Sequence, residues 1–269
     1  MTSLAGKVAV VTGGGGVLCG AMSKALAARG AHVAVLDLSE AAAQKVVDEI
    51  HAAGGAAVAV AANVLQKDNL LAAAEVIHRQ CGKIDILING AGGNKPEATA
   101  SPQQSFFDIP AEAIQWVFNL NCLGTILPTQ VFVPDMVEKK KGVVTNIASM
   151  AGIRPLTRVI AYSAAKAAVA NFTQWLAVHL AQQYSPAIRV NAIAPGFFLT
   201  AQNDYLLIDH ETGQPTPRGQ TILAHTPASR YGTPEDLLSV LLWLVSDEAS
   251  FVSGTIVPVD GAFSAFGGV

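Results

Sequence analysis

Charge is what this sequence has least of. Only 14% of its 269 residues are Asp, Glu, Lys or Arg, where ~25% is ordinary. The 17 basic and 20 acidic residues give a net charge of −3, so there is no electrostatic footprint for nucleic acid or an anionic membrane. Cysteine is scarce as well. Cys19, Cys81 and Cys122 are an odd number without CxxC spacing, which argues against a disulfide framework and for a reducing compartment. The start, Met1 to Lys7, lacks the basic and apolar regions of a secretory leader, so the expected location is cytoplasmic. The six histidines form neither an HExxH nor a Cys/His cluster, so no metal site and no zinc-dependent alcohol chemistry is expected.

Apolar residues are abundant. At 51% hydrophobic, the chain has ample surface to bury, which excludes a disordered protein. Residues 113–134 carry no charge at all, long enough for a membrane span. Gln115, Asn119, Asn121 and Gln130 within that run are costly in hydrocarbon, so a buried helix is expected instead. Short apolar runs at 7–12, 32–37, 56–61, 84–89, 143–148, 188–194 and 255–259 read as strands. Helical patterns separate them, near 40–53, 67–80, 111–137, 160–184 and 234–246, after a first helix that Gly30 stops. That alternation predicts an α/β fold: one domain over 1–269, with a doubly wound, seven-stranded, mostly parallel sheet and helices on both faces. A Pro-, Gly- and polar-rich segment over 196–233 is the one long interruption and reads as a substrate lid.

Thr12-Gly13-Gly14-Gly15-Gly16 follows the first strand and opens a helix. A parallel sheet binds dinucleotides there, because glycines admit the pyrophosphate and the helix N-terminus offers N–H groups. Asp37 lies 24 residues beyond Gly13, at the end of the second strand. Its carboxylate can accept the adenosine ribose hydroxyls and repel a 2′-phosphate. No Lys or Arg stands at 14–23 or 38–39 to offset that repulsion, so NAD is expected over NADP. Tyr162 and Lys166 share one helix face. An ammonium near a phenol favours the phenolate and brings a poor acid toward useful chemistry. Ser149 follows the fifth strand, where a hydroxyl can donate to a carbonyl oxygen that gains negative charge.

These motifs, in this order, resemble the short-chain dehydrogenase/reductase family. The resemblance spans essentially the whole chain: TGGGG, Asp37, Asn63-Val64, Asn89-Gly90-Ala91-Gly92, Asn121, Ser149, Tyr162, Lys166, Pro195-Gly196, Thr200 and Asp260-Gly261. It implies a Rossmann-type, NAD(P)-dependent oxidoreductase, usually tetrameric. It implies Tyr162 as general acid–base, Lys166 as the group that holds the nicotinamide ribose, Ser149 as the carbonyl-orienting hydroxyl, and Asn121 as the support of a water linked to Lys166. Cofactor contacts are implied at Gly13, Gly15, Gly16, Val17, Leu18, Asp37, Asn63, Val64, Asn89, Ala91, Gly92, Tyr162, Lys166, Pro195, Gly196, Phe198 and Thr200. Three departures stand out. Val17 and Cys19 occupy positions where TGxxxGxG has glycine, Asn63 replaces an Asp, and Gly90 replaces the second residue of NNAG.

Within that family the longer strings NGAGGN, YSAAKAAVANFTQWLAV and NAIAPGFFLT are similar to the sugar-acid branch, D-mannonate oxidoreductase (fructuronate reductase). That implies a keto/hydroxy sugar acid as the small-molecule substrate. A sugar acid needs a cation for its carboxylate. Arg154, Arg158 and Arg218 are the candidates with Lys95 behind them, and Asn94 and Asn203 are candidate polar contacts. Alternatives are a gluconate-type or polyol dehydrogenase, a 3-oxoacyl reductase, or a dinucleotide sensor without catalysis. The helices over 111–137 and 160–184 and the chain end are nearly free of charge. In the resembled family these surfaces meet other subunits, so a homotetramer is expected.

Overall fold

The computed structural model describes residues 3–200 and 204–268. The seven expected strands form one sheet: β1 (Val8–Thr12), β2 (His32–Asp37), β3 (Ala56–Ala61), β4 (Ile86–Asn89), β5 (Gly142–Ile147), β6 (Ile188–Pro195) and β7 (Ile256–Val259). Their order is β3-β2-β1-β4-β5-β6-β7, and every pairing is parallel. The order reverses between β1 and β4, and parallel sheets open a ligand crevice at such a point.

Alternation along the strands builds two core layers. Ala9, Val11, Val33 and Val35 face one side, where they meet Met22 and Leu26 of α1 (Val17–Ala28), Val46 and Ile50 of α2 (Glu40–Ala52), and Leu241 and Leu244 of α9 (Leu238–Val245). Val8, Val10, Ala34 and Leu36 face the other. There they meet Leu70 and Ile77 of α3 (Lys67–Gln80), Phe132 and Met136 of α5 (Gly124–Lys139), and Leu176 and Leu180 of α6 (Ile160–Gln183).

The structure corrects two expectations. The helix expected over 111–137 is not uniform: α4 (Ala111–Phe118) leads through a π-helical turn, Asn119–Leu123, into α5. Together they form a 29-residue helix that is apolar and long enough to cross a membrane by composition. Its inward face instead packs on the sheet and carries the fully buried Asn121. The segment 196–233, read as loop, contains α7 (Asp204–Leu207) and α8 (Pro217–Ala224). Polar periodicity hid both helices, because α8 buries only Gly219 and Ile222.

Candidate functional site

At the carboxyl end of β1 the chain turns through the glycines and enters α1. Gly16 caps that helix without a side-chain bond, and its first turn has no acidic residue, so its N-terminal end carries the positive dipole with no side chain to offset it. The turn is clamped to β2: Gly14 N–H donates to Leu36 O at 2.9 Å and Gly15 N–H to Asp37 Oδ2 at 3.0 Å. The other Asp37 oxygen accepts Ser39 N–H at 3.0 Å. The carboxylate thus stands fixed at the end of β2 with acceptor capacity left over. These groups fit a dinucleotide, with its pyrophosphate at the α1 N-terminus and its adenosine ribose at Asp37.

Thr12 joins this turn to the next one. Its Oγ1 accepts Gly90 N–H at 3.1 Å and Ala91 N–H at 3.2 Å. Two of the sequence departures meet here. A Cβ on Gly90 would fall 2.1 Å from Cys19 Sγ, so the cysteine fills space that a side chain at 90 would need. Val17 is half exposed at the first position of α1, and Leu18 packs against the core. Burial pushes the Cys19 thiol up to about 12, against the pull of the Lys166 charge and with a smaller upward push from Asp37, so it remains protonated at neutral pH.

Lys166, buried on α6, is one turn from Tyr162 and donates from Nζ to Ile147 O at 2.7 Å. Its Nζ lies 5.7 Å from the Tyr162 ring centre. Burial lowers its pKa to about 8, partly opposed by Cys19. Ser149, two residues beyond β5, accepts Ala151 N–H at 3.1 Å, and its hydroxyl acts on the Tyr162 phenol. Burial pushes the Tyr162 phenol up, and the Ser149 bond draws it partly back. Lys166 Nζ stands over the ring of that phenol while it donates to the Ile147 carbonyl, and Ser149 is the neighbour that draws the phenol down.

Asn121 sits in the π-helical turn and is fully buried. Its Nδ2 donates to Gly93 O at 2.7 Å and Val117 O at 2.8 Å, and its Oδ1 accepts Gly93 N–H at 3.2 Å. A Cβ on Gly92 would lie 2.6 Å from Asn121 Oδ1 and 3.3 Å from Lys166 Nζ, so the glycine is what lets amide and ammonium converge. Gly93, which sequence reasoning passed over, holds Asn121 from both sides. The doubled glycine after NGA was its only signal.

Several expected contacts also bond within the fold. Asn89 is 1% exposed, and its Nδ2 donates to Thr129 and Asn146, each at 2.9 Å. The side chain therefore braces the sheet, leaving only its backbone near the crevice. Phe198 is buried beneath Gly232, which pairs with it across the lid base, so its ring is core packing. Asn63 spends Oδ1 on Leu65 N–H at 3.0 Å, and Val64 is buried against Gly124. Pro195 ends β6, and Gly196 N–H donates to Val259 O at 2.9 Å. Thr200 O accepts Asp204 N–H at the start of α7. Asn94 is exposed and donates to Thr99 Oγ1 at 3.0 Å. Asn203 lies outside the described residues. Among those residues no His, Cys, Asp or Glu group is arranged to hold a metal.

With this geometry in view, the comparisons with known proteins are specific. The family profile for short chain dehydrogenases matches residues 7–210. An uncharacterised oxidoreductase of Haemophilus influenzae is 48% identical over 278 aligned residues, covering 99% of this chain and 96% of the relative. Another, UxuB of Bacillus subtilis, is 50% identical over 276, covering 99% and 98%. Among solved structures, a Haemophilus protein provisionally named D-mannonate oxidoreductase, with bound NAD, superposes with a TM-score of 0.94 at 47% identity, covering 100% of this chain and 98% of that one. The chain belongs to the short-chain dehydrogenase family. It is an NAD(P)-dependent oxidoreductase acting on alcohol and keto groups.

Proposed function

We propose that the protein is an NAD(H)-linked oxidoreductase that interconverts a keto-sugar acid and its hydroxy acid, of the D-fructuronate and D-mannonate type. The observation that carries the substrate class is the full-length likeness to the Haemophilus protein of that provisional name. Asp37 supports NAD, since its fixed carboxylate would meet a 2′-phosphate with no Lys or Arg at 14–23 or 38–39 to neutralise it. When bound, the nicotinamide supplies or takes the hydride at its C4.

The remaining work falls to the chain. Ser149 orients the substrate carbonyl by donating to its oxygen. Tyr162 gives that oxygen its proton in reduction and removes it in oxidation. Lys166 holds the nicotinamide ribose and presents a positive charge beneath the phenol. Asn121, locked to Gly93, fixes the turn beside Lys166 on which proton exchange with solvent depends. The segment 196–233, with α7 and α8, closes over the substrate. We infer a cytosolic homotetramer. Trp116, Leu123, Trp175, Val178 and Tyr184 are exposed on α4, the π-helical turn and α6 or its end, where charge is missing. A monomer in sedimentation at micromolar concentration would refute that assembly.

The test is oxidation of NADH and of NADPH across a panel of keto-sugar acids, polyol-derived ketoses and 3-oxoacyl thioesters. Turnover of a keto-sugar acid with NADH well ahead of NADPH is expected. Absence of turnover with every keto-sugar acid overturns the substrate class, and a preference for NADPH overturns the role of Asp37.

A further inference from the structure

Between β4 and α4 the chain makes contacts that none of the roles above uses. Gly93, early in this segment, holds Asn121 from both sides. Further on, Ala98 is fully buried in a cluster with Ala113 and Val117 of α4 and Ala161 of α6, and Tyr162 packs against that cluster. Val117 serves both ends, since its carbonyl accepts Asn121 Nδ2 at 2.8 Å. One short stretch of backbone therefore supports Asn121 at one end and the Tyr162 ring at the other. Side chains as small as these have almost no rotamer freedom with which to absorb a shift, so the position of the segment is passed on to Tyr162.

The segment is itself pinned at Thr99. Pro96–Ala98 form a single helical turn, in which Ala98 N–H donates to Lys95 O at 3.1 Å and Thr99 N–H to Pro96 O at 2.9 Å. Thr99 Oγ1 donates to the same Lys95 O at 3.0 Å and accepts Asn94 Nδ2 at 3.0 Å. One hydroxyl thus acts as donor and as acceptor to close the turn. Around it, Lys95 Nζ lies 5.1 Å from the Trp116 ring centre on α4, and Ala100 N–H donates to Arg158 O at 3.0 Å. Arg158 precedes Tyr162 by four residues and has left-handed backbone, φ 75°, a conformation that persists only where its surroundings determine it. Lys95 and Arg158, both candidates for a substrate carboxylate, hold this segment in place. Of the other candidates, Arg154 donates from Nε to Ser264 O at 3.1 Å, and Arg218 is the second residue of α8.

We propose that Thr99 is a positioning residue for the reaction: by closing the segment 94–100 it fixes Tyr162 relative to Asn121 and Lys166. The proposal rests on the reading of Tyr162 as the group that gives and takes the proton, and it holds for whichever ketone is reduced. Proton transfer requires its heavy atoms within hydrogen-bond reach, and a misplacement of about 1 Å can cost about 10²-fold in rate. Without the hydroxyl, the turn at Pro96–Ala98 loosens and the cluster under the Tyr162 ring relaxes with it. The glycine turn and Asp37 belong to β1 and β2 and keep the cofactor. The loss therefore falls on kcat.

The test compares Thr99→Val, which removes the hydroxyl and keeps the shape, with Thr99→Ser, which keeps the hydroxyl. The full-length enzyme reduces D-fructuronate, or the ketone of the panel above on which the wild type is fastest. Fluorescence titration with NADH counts intact sites, so that rates are expressed per folded site. Thr99→Val is expected to lower kcat about tenfold, with KM and NADH affinity within about threefold of the wild type. Thr99→Ser should recover most of that loss. Asn94→Ala removes one of the two bonds to the hydroxyl. It should also lower kcat and add little to Thr99→Val in the double variant, and it carries the comparison if Thr99→Val fails to fold. Hydrogen exchange in the NAD-bound enzyme needs no turnover. Peptides over 160–165 should exchange at least about threefold faster in Thr99→Val, with those over 13–20 unchanged. Unchanged kcat, a loss confined to KM, unchanged exchange over 160–165, or a Ser variant as impaired as the Val variant overturns the proposal. Tyr162→Phe separates it from the reading beneath. If that variant is inactive and Thr99→Val is unimpaired, the positioning role alone falls; if Tyr162→Phe keeps its turnover, both fall. With a wild type inert toward the whole panel, the substrate class falls and the exchange result decides the proposal.

Discussion

The two ends of the crevice are built from different materials. Over β1 and β2 the turns are fixed by backbone N–H groups that donate to Leu36 O, Asp37 and Thr12. Over β5 and α6 the working groups are side chains: the Ser149 hydroxyl, the Tyr162 phenol and the Lys166 ammonium. The first end needs an absence of side chains and a fixed turn, so it tolerates changes that preserve the path of the chain. The second depends on single atoms. Removing one of them should cost rate without disturbing the fold.

Tyr162→Phe makes the sharpest version of that contrast. It deletes the hydroxyl and leaves the ring that packs near Ala113, Val117 and Ala161. Turnover is expected to fall by about 10²–10⁴, with NADH affinity within about threefold of the wild type by fluorescence titration. A variant that keeps a tenth of its turnover would remove Tyr162 from the proton transfer.

The same contrast explains what the sequence revealed. Strand and helix order was legible because apolar runs and helical patterns alternate with one long interruption, and α3 (Lys67–Gln80) fell on its expected bounds. The glycine turn and the Tyr162/Lys166 pair were legible because each is a local pattern. Long-range consequences were not. Nothing local in NGAGGN tells that Asn89 turns inward to Thr129 and Asn146, or that Gly93 grips Asn121.

The burial of Lys166 gives a pH signature confined to the side-chain end. Buried Lys166 has its pKa brought down to about 8, so its ammonium is charged below that pH and neutral above it. If its charge supports proton transfer, kcat/KM, which reports the free enzyme, falls as pH rises through about 8, by about tenfold per unit. Cys19, pushed up to about 12, adds nothing in this range. Lys166→Arg keeps a charge at every accessible pH, so its residual activity should lack that limb. A wild-type profile flat from pH 7 to 10 would detach the Lys166 charge from the reaction.

The backbone end predicts a smaller effect, on stability rather than rate. Gly90→Ala would set a methyl 2.1 Å from Cys19 Sγ and 2.9 Å from Thr12 O. Overpacking of this kind costs about 1–3 kcal/mol, a fall in Tm of roughly 2–4 °C per kcal/mol in a chain of this size. Cys19→Gly alone vacates the space and should cost less. In the double variant the sulfur clash is gone and only the Thr12 carbonyl resists the methyl, so it should be more stable than the two single losses summed. The two positions would then be one adaptation: the chain gave up a glycine at 19 because it had a glycine at 90 to receive the sulfur. Strict additivity in thermal melts would show that the cysteine moves aside freely, and that the glycine at 90 answers to Thr12 alone.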